Sequence, residues 1–409
     1  MKKIGVLLFF CFFRGGGPPP GDPLERYVRA EPVGVRQLSV EKGAGIVVER
    51  MTFVSRGGRN TVYGIVASPE VKGKYPALLV FHGGSSCAAD VEGYVRRYAG
   101  LGYVAMAVDL PGICDPAKAV LSAGPWRGKF RRGDGGRAVA VRGGGDAGFA
   151  VADARFDVVG GPDSSTLVDA LAAALQAFNY LQRAPDVDSS RMGLTGFSWG
   201  GYTTTILAGL LGARVKAAYA VFGCGFYDKG SIWTDTLAAM PVALRDKWIG
   251  CFDAGRRAGG IRCPYFIEAS SNDKYFWPPA VMATLDAVQT KKGLVWGPNL
   301  DHVRLAGGDA MQQLYFDYWL KGVGKPFGEV WVVSAEGQVV TVGARLPKGV
   351  GVDSMKLYYA GHGEGRNRQW KELPMADGRA VLPEKGVDYF VYISDTRGVK
   401  IASYIKTIL

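Results

Sequence analysis

Two uninterrupted apolar runs constrain this chain most. Residues 75–81 read Tyr-Pro-Ala-Leu-Leu-Val-Phe, and residues 102–109 read Gly-Tyr-Val-Ala-Met-Ala-Val-Asp. A continuous apolar run of this kind is what a strand covered on both faces requires. Each run stops at turn chemistry, His82-Gly-Gly in the first and Leu110-Pro-Gly in the second. Residues 91–99 between them have helical spacing. Further strand-sized runs occur at 192–196, 215–221, 264–269 and 293–296, and helix-sized ones at 164–183, 201–211 and 309–320. Strands alternating with helices predict the α/β class: a doubly wound, mainly parallel sheet with right-handed crossovers and helices on both faces. Ahead of them, residues 46–55 and 61–67 are β-rich and separated by Arg56-Gly-Gly-Arg-Asn.

The pattern changes after residue 325. Short alternating runs at 329–333, 339–344, 355–359 and 389–393 are spaced by Gly-rich turns. They predict a small all-β sandwich over 326–409, an accessory domain behind an α/β domain at 23–325. Within the latter, residues 128–161 are Gly-rich and carry Arg131, Arg132, Arg137 and Arg142, which reads as a surface insertion. At the N-terminus, Lys2 and Lys3 precede the apolar stretch from Ile4 to Phe13. Residues 1–22 are therefore expected to be an export signal, and the protein secreted or periplasmic. No other stretch reaches the ~18–20 apolar residues of a membrane span.

With 48% hydrophobic and 11% aromatic residues, wholesale disorder is excluded. Six cysteines in 409 residues, without a CxxC pair, make neither a disulfide scaffold nor a structural zinc site. A single bridge such as Cys224–Cys251 stays open. The formal charge of +12 invites a nucleic-acid reading. The basic run at 127–142 has no nucleic-acid-binding motif and sits in the Gly-rich insertion, so a solvated loop is expected and no nucleic-acid partner.

The segment that carries chemistry is Gly196-Phe-Ser198-Trp-Gly200-Gly201-Tyr202. A strand precedes it and a helix follows, so it fits a sharp strand-to-helix turn that lifts a serine hydroxyl above the sheet. Bare glycines are needed there because Cβ atoms would clash. A nucleophilic Ser198 needs a base and an orienting carboxylate, which in this topology follow in the order acid, then histidine. The chain has three histidines. His82 precedes Ser198, and His362 falls in the expected sandwich. His302 follows the last core strand and is the expected base. Asp273 follows the strand at 264–269 and is the expected acid, with Glu268 and Asp301 as alternatives. The oxyanion donors would be the backbone N–H groups of Trp199 and Gly84. Tyr227, Trp233, Tyr275 and Trp277 either wall a substrate pocket or pack a cap over the sheet.

These motifs, with Pro185-Asp-Val-Asp-Ser-Ser-Arg-Met-Gly-Leu-Thr before the serine and Val221-Phe-Gly-Cys-Gly-Phe after it, resemble the α/β-hydrolase superfamily. Within it they look like the acetyl xylan esterase/dienelactone hydrolase-like branch, which adjoins the prolyl oligopeptidase family. The resemblance covers roughly residues 45–325. It implies a serine ester hydrolase with Ser198, Asp273 and His302 as triad. It also implies no metal, no organic cofactor, and a small-molecule or polysaccharide ester as substrate. A prolyl oligopeptidase-like peptidase and a non-catalytic carbohydrate-binding protein are the other readings. The peptidases of that type usually carry a large N-terminal propeller, for which no repeat exists here.

Overall fold

The computed structural model of the chain describes residues 21–129, 140–141, 150–151, 153–363 and 365–409. The expected export signal, except for its last two residues, and the four insertion arginines lie outside the described residues.

The sheet begins with three antiparallel strands, β1 (Val33–Gly43), β2 (Ile46–Ser55) and β3 (Asn60–Pro69). Next in the chain come β4 (Tyr75–Phe81), helix α1 (Glu92–Gly100) and β5 (Val104–Val108). The short α2 (Trp126–Lys129) and a two-residue pairing of β6 (Ala140–Val141) with β7 (Ala150–Val151) lead to α3 (Thr166–Arg183). The rest of the α/β unit runs β8 (Val187–Phe197), α4 (Trp199–Leu211), β9 (Ala217–Val221), α5 (Thr234–Ala239), α6 (Val242–Phe252) and α7 (Ala254–Ala258). It closes with β10 (Tyr265–Ser270), α8 (Pro278–Ala287), β11 (Lys292–Gly297) and α9 (Gly308–Lys321).

These strands form one nine-stranded sheet in the order β1-β2-β3-β5-β4-β8-β9-β10-β11. From β5 to β11 every pairing is parallel. Their central residues are mostly apolar because helices cover both faces, with the start of β8 and the buried Glu268 of β10 as exceptions. Helices α1 and α9 share one face, where Tyr98 Oη donates to Gln312 Oε1 at 2.9 Å. Helices α3 and α4 pack together on the other. Leu78, Leu79, Val80 and Phe81 of β4 are fully buried. Each such side chain contributes about 1.5–3 kcal/mol by leaving water. The consequence for function is positional. The carboxyl ends of β4, β8, β10 and β11 lie on one rim of the sheet, where open α/β sheets place their ligand sites.

The C-terminal residues form a separate β domain. One sheet is β12 (Glu329–Glu336), β13 (Val339–Arg345) and β16 (Arg379–Val381). The other joins β14 (Val352–Gly361), β15 (Lys371–Pro374), β17 (Val387–Asp395), β18 (Lys400–Ala402) and β19 (Lys406–Ile408). Its core is not self-contained. Trp370, Phe390, Ile393, Val399 and Ile401 belong to the same buried cluster as the α/β sheet. The Trp296 indole at the end of β11 donates to Ser403 O at 3.0 Å.

Three expectations need correcting. Cys224 and Cys251 are buried, unbridged thiols, as are Cys87, Cys114 and Cys263, so the pairing left open does not form. The end of the insertion at 128–161, expected to lie on the surface, is partly core. Phe156 and Val158 are fully buried, and the Phe156 ring stacks on Trp248 at 4.6 Å. Phe156 and Val158, eight and ten residues after Gly148, are enough to pull this part inward. The expected strand at 192–196 extends back to Val187, because parallel pairing with β4 carries the ladder to the sheet edge. Among the described residues no helix is long and apolar enough to cross a membrane.

Candidate active site

Ser198 sits between β8 and α4 with φ 58° and ψ −117°. That is a left-handed backbone on a residue with a Cβ, which costs of order 1–3 kcal/mol and must be held by its surroundings. The surroundings are glycines. A Cβ on Gly196 would lie 2.5 Å from Gly200 O, and one on Gly200 would lie 2.2 Å from Phe81 O. Only bare backbone lets the turn close this tightly against the end of β4. Ser198 N–H donates to Val221 O at 2.9 Å, tying the turn to the end of β9. The side chain makes no helix-capping bond and is half-buried.

Asp273 and His302 meet on the same rim. His302 Nδ1 lies 2.8 Å from Asp273 Oδ2. Asp273 is buried, and its other oxygen accepts the backbone N–H groups of Tyr275 at 2.7 Å and Phe276 at 3.1 Å. Both carboxylate oxygens are therefore committed, and the imidazole is presented with Nε2 outward. Its ring packs on Phe222 at 4.5 Å and edge-on to Tyr275 at 4.9 Å. Phe222 directly follows Val221, whose carbonyl holds Ser198, so one short piece of backbone links the serine turn to the histidine ring. The structure gives no hydrogen bond between the Ser198 hydroxyl and His302. At unliganded sites such bonds are often long and tighten only with substrate.

The alternative carboxylates are engaged elsewhere. Asp301 accepts Lys274 N–H at 2.9 Å and pairs with the Lys274 ammonium at 3.2 Å. Glu268 is fully buried, accepts Tyr219 Oη at 2.9 Å and pairs with Arg304 at 3.1 Å. Arg304 in turn binds Gly308 O at 2.8 Å and Asp309, and lies over the Phe197 ring at 5.3 Å. The pair thus anchors the loop that carries His302 to the residue before Ser198. Sequence reasoning missed it, although a glutamate inside the buried run Tyr-Phe-Ile-Glu-Ala-Ser must find a partner.

The loop after β4 closes against the same turn. A Cβ on Gly83 would lie 3.5 Å from Ser198 Cβ, and one on Gly84 would lie 2.8 Å from Trp199 Cδ1. His82 is fully buried, with Nδ1 2.7 Å from Gly83 O and Nε2 accepting Leu110 N–H at 3.0 Å. Burial pushes its pKa down, so it stays neutral and fixes the loop.

Tyr227 and Trp233 are buried and stacked at 5.0 Å, with Trp233 edge-on to Trp199 at 5.0 Å. They pack a cap next to the serine turn. Asp253 holds that cap: it accepts Phe226 N–H at 2.8 Å and Tyr227 N–H at 3.0 Å and caps α7. Tyr275 and Trp277 are half-buried on the acid loop, and of the four only Tyr275 touches His302. Arg155 lies over the Trp199 ring at 4.4 Å. Among the described residues no group of three or more His, Cys, Asp or Glu side chains is placed to hold a metal.

Residues 62–243 match the model of the dienelactone hydrolase family. Among solved structures, an acetyl xylan esterase from Paenibacillus sp. R4 is similar at 17% identity and TM-score 0.56, covering 73% of this chain and 93% of its own. Acetyl xylan esterase 1 from Thermoanaerobacterium sp. JW/SL YS485 is similar at 19% identity and TM-score 0.55, covering 75% and 96%. An S-formylglutathione hydrolase from Agrobacterium tumefaciens follows at 15% identity and TM-score 0.50, covering 70% and 99%. No curated protein sequence matches the chain. The α/β-hydrolase fold and the branch suggested by the sequence motifs both fit these likenesses.

Proposed function

We propose that this α/β-hydrolase is a serine carboxylic ester hydrolase that works through an acyl-enzyme. The observation that carries the reading is the 2.8 Å contact of His302 Nδ1 with buried Asp273, on the rim where Ser198 sits in its strained turn. Ser198 Oγ attacks the ester carbonyl while His302 Nε2 takes its proton. Asp273 keeps the proton of the ring on Nδ1 and stabilises the imidazolium that forms. The tetrahedral oxyanion faces the N–H groups of Trp199 and Gly84. His302 then returns the proton to the leaving alcohol and activates the water that releases the acid. An acetylated plant polysaccharide is the substrate class suggested by the two acetyl xylan esterases of similar fold. The half-buried Tyr275 beside His302 offers a face for a sugar ring. Lys2, Lys3 and the apolar stretch after them support an exported enzyme.

The test is hydrolysis of p-nitrophenyl acetate, acetylated xylan and aminoacyl anilides by the wild type and by Ser198→Ala. Ester turnover lost in Ser198→Ala is expected. Turnover that survives the substitution would refute the serine mechanism, and anilide turnover without ester turnover would identify a peptidase.

A further inference from the structure

The C-terminal β domain reaches into the loops that carry the acid and the base. Asn272, the residue before Asp273, donates from Nδ2 to Arg368 O at 2.8 Å and accepts the Trp370 indole N–H at 3.0 Å. Asn299, in the loop before His302, accepts Trp370 N–H at 2.7 Å and donates to Trp370 O at 2.8 Å. The Asn299 side chain therefore pairs with Trp370 as a neighbouring strand would. Ser271 joins the two arms: its hydroxyl donates to Asn272 Oδ1 at 2.9 Å and accepts Asn299 N–H at 2.9 Å. From the β domain, Trp370 bonds to both loops, through its ring to one and its main chain to the other.

The clamp is itself fixed. Trp370 is buried and lies edge-on to Phe390 at 4.8 Å. The Arg368 guanidinium is held on Asp388 at 2.5 Å, and Asp388 also accepts Thr407 Oγ1 at 2.6 Å. Asn299 has φ 59°, a left-handed conformation that asparagine tolerates better than most residues and that the two bonds to Trp370 retain.

We propose that Trp370 of the β domain, acting through Asn272 and Asn299, is a positioning device that sets the separation of Asp273 and His302, so that the domain is a working part of the catalytic site. This rests on the triad reading above. The distance at stake is short: a displacement of about 1 Å in such a pair costs on the order of a hundredfold in rate. Asn272, Asn299 and Trp370 touch no reacting atom in this scheme, so their loss should lower kcat and spare substrate binding.

The test uses the full chain and the variants Asn272→Ala, Asn299→Ala and Trp370→Phe, the last of which keeps an aromatic ring and the main-chain bonds while removing the indole donor and part of the ring. Three readouts are taken: kcat and KM for p-nitrophenyl acetate, the thermal midpoint, and the imidazole N–H proton resonances in a protein with three histidines. The expected result is a kcat about ten- to a hundredfold lower in the Ala variants. KM stays within about twofold, and the hydrogen-bonded Nδ1–H signal of His302 is lost or broadened while the fold is retained. Trp370→Phe should show the same loss to a smaller degree. Unchanged kcat and an unchanged His302 signal in the folded variants would overturn the proposal. Should an Ala variant fail to fold, Trp370→Phe decides by the same two readouts. A wild type without Ser198-dependent turnover would sink the hydrolase reading instead, and the His302 signal would still report whether the clamp holds the pair.

Discussion

Replacing Asp273 with asparagine tests the acid–base assignment through hydrogen-bond accounting alone. The carboxylate has two jobs: Oδ1 accepts the N–H groups of Tyr275 and Phe276, and Oδ2 faces His302 Nδ1. An amide has one acceptor oxygen. If that oxygen stays with the two backbone donors, the NH₂ group faces Nδ1 and demands an unprotonated nitrogen there. The ring proton then moves to Nε2, which can no longer take the proton of Ser198. The opposite orientation restores the ring but leaves two buried N–H groups facing an NH₂ group. Each unsatisfied donor costs about 1–3 kcal/mol, so the productive orientation lies about 2–6 kcal/mol above the other. At about 1.4 kcal/mol per decade, kcat should fall by about 30-fold to 10⁴-fold. The assay is steady-state hydrolysis of p-nitrophenyl acetate, with circular dichroism to show that the fold persists. A folded Asp273→Asn enzyme that keeps more than a third of its kcat, while Ser198→Ala is dead, would refute the assignment.

Two other outcomes follow from packing and titration. Gly200→Ala forces a Cβ to 2.2 Å from Phe81 O and 2.7 Å from His82 O, both backbone atoms that cannot swing aside. It should cost about 1–3 kcal/mol or more and lower the thermal midpoint; an unshifted midpoint would mean that the turn is looser than described. His82 is held neutral by burial, its pKa below the ordinary 6.5. Below about pH 6.5 the unfolded chain binds a proton that the folded one refuses, so stability should fall with pH by up to about 1.4 kcal/mol per unit until the folded-state value is reached. Urea titrations between pH 7.5 and 5.5 should show a flatter dependence in His82→Asn than in the wild type, and equal slopes would exclude His82 as the group responsible.

The layout of the α/β unit was legible because buried parallel strands write themselves as continuous apolar runs. The run at 75–81 coincides with β4 residue for residue, and the β-rich stretch at 46–55 coincides with antiparallel β2, where buried and half-buried residues largely alternate. The serine turn was legible for a different reason: its glycines are sterically compulsory. Strand β1 was not legible, since all of its residues are exposed and two register shifts against β2 break the alternation. Helix α6 was hidden as well, because its buried residues Trp248, Cys251 and Phe252 all fall in its second half. At the site, chain order could nominate Asp273 and His302. It could not reveal the support beneath them. Glu268 with Arg304, Asp253 under the cap, and the asparagines bound to Trp370 depend on partners that are far away in sequence. No local pattern announces such pairings, and only the folded backbone brings them within hydrogen-bond distance.

The attachment of Trp370 to both loops also bears on time. A ribosome extrudes the chain from its N-terminus, so Ser198 emerges long before His302, and Trp370 comes later still. Until the segment around Trp370 has been made and β18 has packed on β11, the acid and base loops lack this brace. A chain stopped before Trp370 would already hold its serine turn and, through Glu268 and Arg304, the histidine loop, but not the brace on Asn272 and Asn299. Full activity, on this reading, comes only once the segment around Trp370 has been made and has docked.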